Sequence, residues 1–108
     1  MIIIYQGDQF PISFSIENED GTNVTDEDIS EMIFLIGDDI TKKFTDGDIT
    51  YDSETEKFTV WIQSKDTSPL LIKPYESQLT VYFNNDYVLT FDCGQLLVKE
   101  LLGSDGDE

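Results

Sequence analysis

Alternation of apolar and polar residues recurs along this chain and constrains its fold more than any other feature. The run FPISFSIE puts its apolar side chains, from Phe10 to Ile16, on one side and Ser13 and Ser15 on the other. The runs KFTVWI and SQLTVYF repeat the pattern. A period of two residues is that of a strand with one face buried. Each of these runs is therefore predicted to be a strand that turns one face toward the core.

Turn signals between these runs set the fold class. NEDGT, DSETE and NND are typical turns, Asp46-Gly47 predicts a two-residue hairpin, and VTDEDISE predicts one helical turn. The run MIFLIG predicts a strand buried on both sides or crossing the middle of the core, and Gly94 is expected to break the chain before QLLVKELL. We predict an all-β fold, a single antiparallel immunoglobulin-like β-sandwich of about 7–9 short strands with one or two helical turns. A β-barrel is the alternative architecture. The sandwich is expected to span residues 1–102, and the acidic tail 103–108 is expected to be disordered.

The charge is strongly one-sided. The chain has 23 acidic residues and 6 lysines, with no arginine and no histidine, which gives a net charge of −17. A negative field of this size repels phosphate backbones, so nucleic acid is excluded as a ligand. The same charge leaves open a protein that imitates DNA. Acidic turns that keep the protein soluble are the simpler interpretation.

The residue inventory argues against catalysis and against a cofactor. Without histidine, neither a Ser-His-Asp nor a Cys-His arrangement can be built, and zinc lacks its usual ligands. We therefore expect no enzyme activity and no cofactor. A weak calcium site in the oxygen-rich loops DDITKKFTDGD and NEDGTNVTDED is left open. Cys93, the one cysteine, is expected to be a small buried hydrophobic residue.

The N-terminal run MIIIYQGD has two features that bear on targeting and on contacts. It has no basic residue and few apolar ones, so we expect neither a signal peptide nor a membrane span. Its strand, with Ile2, Ile3 and Ile4, must pair inside the fold or add to a partner's sheet, and internal pairing is favoured. These three residues are candidate interface residues.

Two aromatic residues on polar strand faces are further candidates for an interface. Trp61 shares its face with Thr59 and Gln63, and Tyr82 shares its face with Gln78 and Thr80. A tryptophan on the polar side of a strand is typical of protein contacts. Cover by a neighbouring loop or by the terminal strand is the alternative for Trp61, and sugar binding is a weaker one.

The segment QSKDTSPLLIKPYESQL links two predicted strands and is expected to be a structural corner. Ser64 or Asp66 can cap a helical turn there, and Leu70, Leu71 or Ile72 can close the end of the core. Tyr75 stands where sandwiches have a "tyrosine corner", in which the hydroxyl bonds to the backbone a few residues upstream. This corner is expected to have a structural and not a binding role.

The order of these signals resembles the N-terminal domain family of phage baseplate upper proteins. The similar pieces include GDQFP, FTVWIQSKDTSPLL, YESQLTVYF and GQLLV, and they extend over about residues 3–99. The positions that match the family pattern are Gly7-Asp8, Thr67 with Leu70, and Tyr75. Gln9 and Lys73-Pro74 depart from it, and the chain ends where baseplate proteins continue into further domains.

The resemblance implies a function by docking, without chemistry. We expect a phage or prophage virion structural protein of the tail, baseplate or fibre, made in the cytoplasm of the bacterial host. Its partners would be other virion or tail proteins, with a homo-oligomer also open, and neither nucleic acid nor membrane is expected as a partner. The alternatives are a small acidic inhibitor that mimics DNA and a carbohydrate-binding module. The virion substructure, the copy number, the partner and any contact with host glycans are left open by the sequence.

Overall fold

The structure is a computed structural model that describes residues 2–100. This part of the chain is mostly strand, as the alternating pattern predicts. A 3₁₀ turn at Asp26–Asp28 and a single helical turn, α1, at Ser64–Thr67 are its two short helices. The strands are β1 Ile2–Tyr5, β2 Phe10–Phe14, β3 Ile29–Ile36, β4 Ile40–Lys43, β5 Ile49–Asp52, β6 Lys57–Ile62, β7 Pro74–Phe83 and β8 Val88–Lys99.

The strands form two sheets, and the all-β sandwich prediction is confirmed. One sheet has five strands in the order β1-β8-β7-β3-β4, and the other has three in the order β2-β6-β5. In an immunoglobulin-like sandwich, β8, β7, β3 and β4 correspond to strands G, F, C and C′, and β2, β6 and β5 correspond to B, E and D. Pairing is antiparallel except at β1, which lies parallel to β8. The N-terminal strand thus pairs inside the fold, which was the favoured expectation.

The core lies between the two sheets and is built from the predicted inward-facing sets. Phe58, Val60 and Ile62 on β6 are at most 1% exposed, and Leu79 and Val81 on β7 are at most 4% exposed. Their neighbours on each strand point outward, as the two-residue period requires. Among residues 2–100, no helix has the length and apolar composition needed to cross a membrane.

Two local predictions are wrong, and a third holds for one face of its strand only. Asp46-Gly47 does not make a hairpin, because β4 and β5 belong to different sheets and the intervening turn carries the chain between them. Gly94 does not end a strand: β8 is continuous, and a β-bulge beside Gly94 absorbs the irregularity. In MIFLIG only one face is fully buried, since Ile33 and Leu35 are half-buried on the outer face of the sheet.

Candidate docking surfaces

The predicted corner is a connected structural unit at one end of the sandwich. Tyr75 is buried, and its hydroxyl accepts the backbone N–H of Leu71 at 2.9 Å, in the arrangement of a tyrosine corner. Thr67 is fully buried and donates its hydroxyl to the Asp8 carbonyl at 2.8 Å. Leu70 is in the core, and its carbonyl accepts the Gln6 side-chain amide at 2.7 Å. Asp8, Thr67, Leu70 and Tyr75 therefore meet in space, in a structural role.

An ion pair fixes this corner to the five-stranded sheet. Lys42 is buried on the inner side of β4, and its Nζ lies 2.6 Å from a carboxylate oxygen of Asp66 in α1. The same carboxylate oxygen accepts the backbone N–H of Gln63 at 2.8 Å, so Asp66 caps the turn. Burial raises the pKa of Asp66, but these hydrogen bonds outweigh it and hold the pKa below its ordinary value.

Trp61 lies on the outer face of the three-stranded sheet and is 47% exposed. Its indole N–H donates to the Thr50 hydroxyl at 3.0 Å, which orients the ring across the sheet surface. Gln9, Pro11 and Gln63 surround a shallow depression beside it. Trp61 is therefore accessible to a partner and is not covered by a loop.

The other predicted interface residues do not join Trp61 in one surface. Tyr82 is half-buried on the outer face of the five-stranded sheet, on the opposite side of the sandwich. Ile4 is a core residue, 4% exposed. Ile3 is exposed on the outer face, whereas Ile2 shares the inward side with Ile4 and lines an open groove.

This groove, here the β8 groove, is a concavity lined mainly by apolar side chains. Its volume is about 940 Å³. Leu79, Leu89 and Phe91 form its floor on β7 and β8, and side chains of β2 form its wall; those wall residues are Ile12, Phe14 and, just beyond the strand, Ile16. Leu89 and Phe91 lie opposite Val81 and Leu79 and so face the same inward side of the sheet.

The β8 groove is open because the two sheets differ in width. Three strands cover the inner face of five, and β2 ends the smaller sheet before it reaches β8. Leu79 is therefore 4% exposed, whereas its cross-strand neighbour Phe91 is 37% exposed and Leu89 is 50% exposed. Tyr87, at 69%, extends the apolar surface to the tip of the β7–β8 hairpin. Exposed contiguous apolar surface of this kind is typical of a binding site.

Acidic turns crowd the end of the sandwich next to the β8 groove. Asn84 of the β7–β8 turn bonds to the Glu27 carbonyl at 2.6 Å, and Asn23 bonds to the Glu56 carboxylate at 2.8 Å, so three turns meet there. We call this end the acidic pole; its carboxylates are Glu17, Glu19, Asp20, Asp26, Glu27, Asp28, Asp52, Glu54, Glu56 and Asp86. Desolvation and then four of these carboxylates raise the pKa of Tyr51, which shows that their fields overlap.

Two observations concern metal-ligating and nucleophilic side chains. No group of three or more Asp, Glu or Cys residues that could hold a metal ion occurs within 2–100. Cys93 is exposed at the bulge of β8, so the expectation that it is buried is wrong. Desolvation and the charge of Asp92 raise the pKa of its thiol, which disfavours the reactive thiolate.

Sequence reasoning missed the β8 groove. The alternation of Tyr87, Leu89 and Phe91 in YVLTF was visible, but it predicts only that these residues share a face. Whether that face is covered depends on how many strands the opposite sheet has, and no local pattern encodes this number.

Comparison with known proteins adds no relative: no protein-family model matches the chain, and no curated protein matches it.

Proposed function

We propose that this protein is a non-enzymatic virion structural component of a phage or prophage tail, baseplate or fibre that acts by docking to other virion proteins. The observation that carries the proposal is the β8 groove, an apolar concavity between the two sheets. Phe91 and Leu89 belong to the inward side of the sheet but remain 37% and 50% exposed. Exposure of apolar side chains of that size to water is unfavourable, and a bound partner would bury them.

The corner contacts are a second support. The positions on which the resemblance to baseplate upper proteins depends, Gly7-Asp8, Thr67, Leu70 and Tyr75, are distant in sequence yet form one bonded unit. A shared local architecture explains why such separated positions would recur together. A rigid sandwich repeated in symmetric copies would also give firm attachment through many weak contacts.

The test is whether the protein is a stoichiometric part of particles. Phage or phage-like particles are induced from a strain that carries the gene, banded by density and analysed by quantitative mass spectrometry against the major tail protein. The proposal predicts a fixed ratio of this chain to the tail protein that survives a second banding. A chain that stays in the soluble fraction, with intact tails free of it, would overturn the proposal.

An acidic inhibitor that imitates DNA is the second candidate, and the acidic pole favours it. The overlap of carboxylate fields at Tyr51 is the kind of charge density that a basic groove would bind. Against it, Asp38 and Asp39 lie in the β3–β4 turn at the other end of the sandwich, so the carboxylates do not form one band. Tight binding to a DNA-processing enzyme that weakens steeply with salt would favour this candidate. A sugar-binding role for Trp61 remains a prediction without further support.

A further inference from the structure

One wall of the β8 groove is the edge of β2 that pairs with no strand among residues 2–100. Within β6, Trp61 donates its backbone N–H to the Asp48 carbonyl, on the side of β5, at 3.1 Å. The backbone N–H and C=O groups of successive residues in an antiparallel ladder point to alternate sides. Those of Val60 therefore point to β2 and bond with Ile12, which lies opposite it. Ser13 therefore turns its N–H and C=O away from β6, toward the open edge.

The next residues continue this edge into the groove. The Ile16 carbonyl accepts the Val24 N–H at 2.7 Å, and the Asn23 side chain bonds to Glu56 beside β6. The backbone groups of the even-numbered residues therefore still point to the β6 side. By the same alternation, the backbone N–H and C=O of Ser15 point to the open side, and Ser15 lines the β8 groove. The free edge thus offers paired donors and acceptors at two alternate residues next to an uncovered apolar floor.

The position beside β2 is one that related sandwiches fill. In constant-type immunoglobulin sandwiches strand A lies next to strand B, in the sheet with E and D. Here the first strand, β1, lies in the other sheet beside β8, and within residues 2–100 the place next to β2 has no strand. Because packed sheets lie about 10 Å apart, a strand added there would cover β8 at the normal packing distance.

We propose that the β8 groove receives an extended segment of a partner protein that pairs with the free edge of β2 and lays alternate apolar side chains over Leu89 and Phe91. The segment carries lysine or arginine at the end that meets the acidic pole. This inference rests on the docking function proposed above and names the surface and the chemistry of the partner. The pairing is a case of strand addition, in which backbone bonds give affinity and alternate side chains give specificity.

The charge decides between a basic partner and a second copy of this chain. Glu17 and Glu19 line the mouth of the β8 groove, and no lysine lines it among the described residues. A second copy would bring its own net charge of −17 to this rim. A segment with basic residues at one end gains attraction at the same place. Strand A runs antiparallel to strand B in such folds, so the basic residues are expected at the N-terminal end of the segment.

The probe for the test is a synthetic peptide, Lys-Lys-Ile-Thr-Val-Ser-Val-Thr, titrated against the purified protein at low salt with fluorescence anisotropy. We expect saturable binding that weakens with salt and that falls about tenfold or more when glutamates replace the two lysines. Ser13→Pro removes the N–H of the free edge and should also weaken binding about tenfold. Ser13→Ala keeps that N–H, loses only the exposed hydroxyl bond to Thr59, and should bind like the wild type.

Four results would overturn the inference. The first is binding that does not saturate at millimolar peptide, and the second is equal binding by Ser13→Pro and Ser13→Ala. The third is equal binding of the lysine and glutamate peptides. The fourth is a dimer of the protein, seen by sedimentation, that the substitution Phe91→Ser dissociates. Circular dichroism of each variant is the control for folding, and only folded variants enter the comparison.

Failure of this inference and failure of the proposed function are separable. If the protein is found in particles and Ser13→Pro enters them at the wild-type ratio, docking holds but the β8 groove is not its site. If the peptide binds as predicted but the protein is absent from particles, the groove is a strand receptor with a function outside the virion.

Discussion

At the scale of single residues, Tyr75 shows how a corner that resembles a site can be structural. Its ring packs in the core while its hydroxyl holds the backbone of Leu71. Loss of one hydrogen bond to a part-buried group has a net cost of about 1 kcal/mol. We therefore expect Tyr75→Phe to lower the free energy of unfolding by that amount in urea denaturation. Tyr87→Phe, at an exposed position, is the matched control and should change it by less than about 0.5 kcal/mol. Equal effects at the two positions would contradict the corner.

Asp66 gives a prediction with a defined pH dependence. Removing its charge leaves Lys42 buried without a counter-ion, so Asp66→Asn should cost about 2 kcal/mol at pH 7, less than for a fully buried pair because Asp66 keeps some exposure. The folded pKa is lowered, so the stabilisation is fully present above the unfolded pKa of about 3.9 and is lost as pH falls through the folded value.

The measurement for Asp66 is the unfolding free energy of wild type and Asp66→Asn from pH 7 to pH 2. The two curves should be parallel above about pH 5 and should converge below pH 4 as the wild-type carboxylate takes up its proton. The carboxyl of Glu31, whose pKa is also lowered by its hydrogen bonds with Thr45 despite partial desolvation, remains in both proteins and cancels in the difference. A constant difference down to pH 2 would contradict the ionic role of Asp66.

At the scale of elements, the β3–β4 turn is fitted to the corner. Gly37 has φ of +54°, and a Cβ placed there would lie 2.7 Å from the Tyr75 ring. Gly37→Ala should therefore cost both backbone strain and ring displacement, together more than about 2 kcal/mol. Gly21→Ala separates the two terms, because Gly21 also has positive φ but has nothing within 4 Å of its Cβ position. If thermal unfolding shows the same loss for both variants, the ring contact contributes nothing.

Trp61 belongs to the same scale because it reports on the outer face of the three-stranded sheet. Because the Trp61 side chain is 47% exposed, Trp61→Ala should lower the free energy of unfolding by less than about 1.5 kcal/mol. Phe58 lies on the buried face of the same strand, and Phe58→Ala should lower it by about 3–5 kcal/mol. Incorporation of the folded Trp61→Ala protein into particles should fall if this face is a second contact. Unfolding of the isolated Trp61→Ala protein would place the residue in the core and remove it as an interface residue.

The elements also show what the sequence could predict. Inward-facing sets such as Phe58, Val60 and Ile62 follow from local alternation, and the capped turn at Asp26–Asp28 follows from Thr25 and Asp28. The Asp46-Gly47 prediction failed because a turn signal gives the bend of the chain but not the sheet to which the next strand goes. The prediction for Cys93 failed, and the β8 groove was missed, for a related reason: burial on an inward face requires an opposing strand.

At the scale of the whole molecule, the smaller sheet leaves part of the inner face of the larger sheet uncovered, and acidic turns lie together at one end. Its principal extents are 52 × 25 × 24 Å, with a structural corner at one end and acidic turns at the other. The uncovered apolar floor ends next to those acidic turns. A partner that matches both features must combine an apolar extended segment with positive charge, which is a narrow specification for a recognition surface.

The most direct test of docking in a virion is a cryo-electron microscopy map of particles from a strain that carries the gene. We expect symmetric copies of this sandwich in the tail, baseplate or fibre, each with a strand of a neighbouring protein beside β2 and over Phe91. Particles that contain complete tails but no density for this sandwich would contradict the docking function itself.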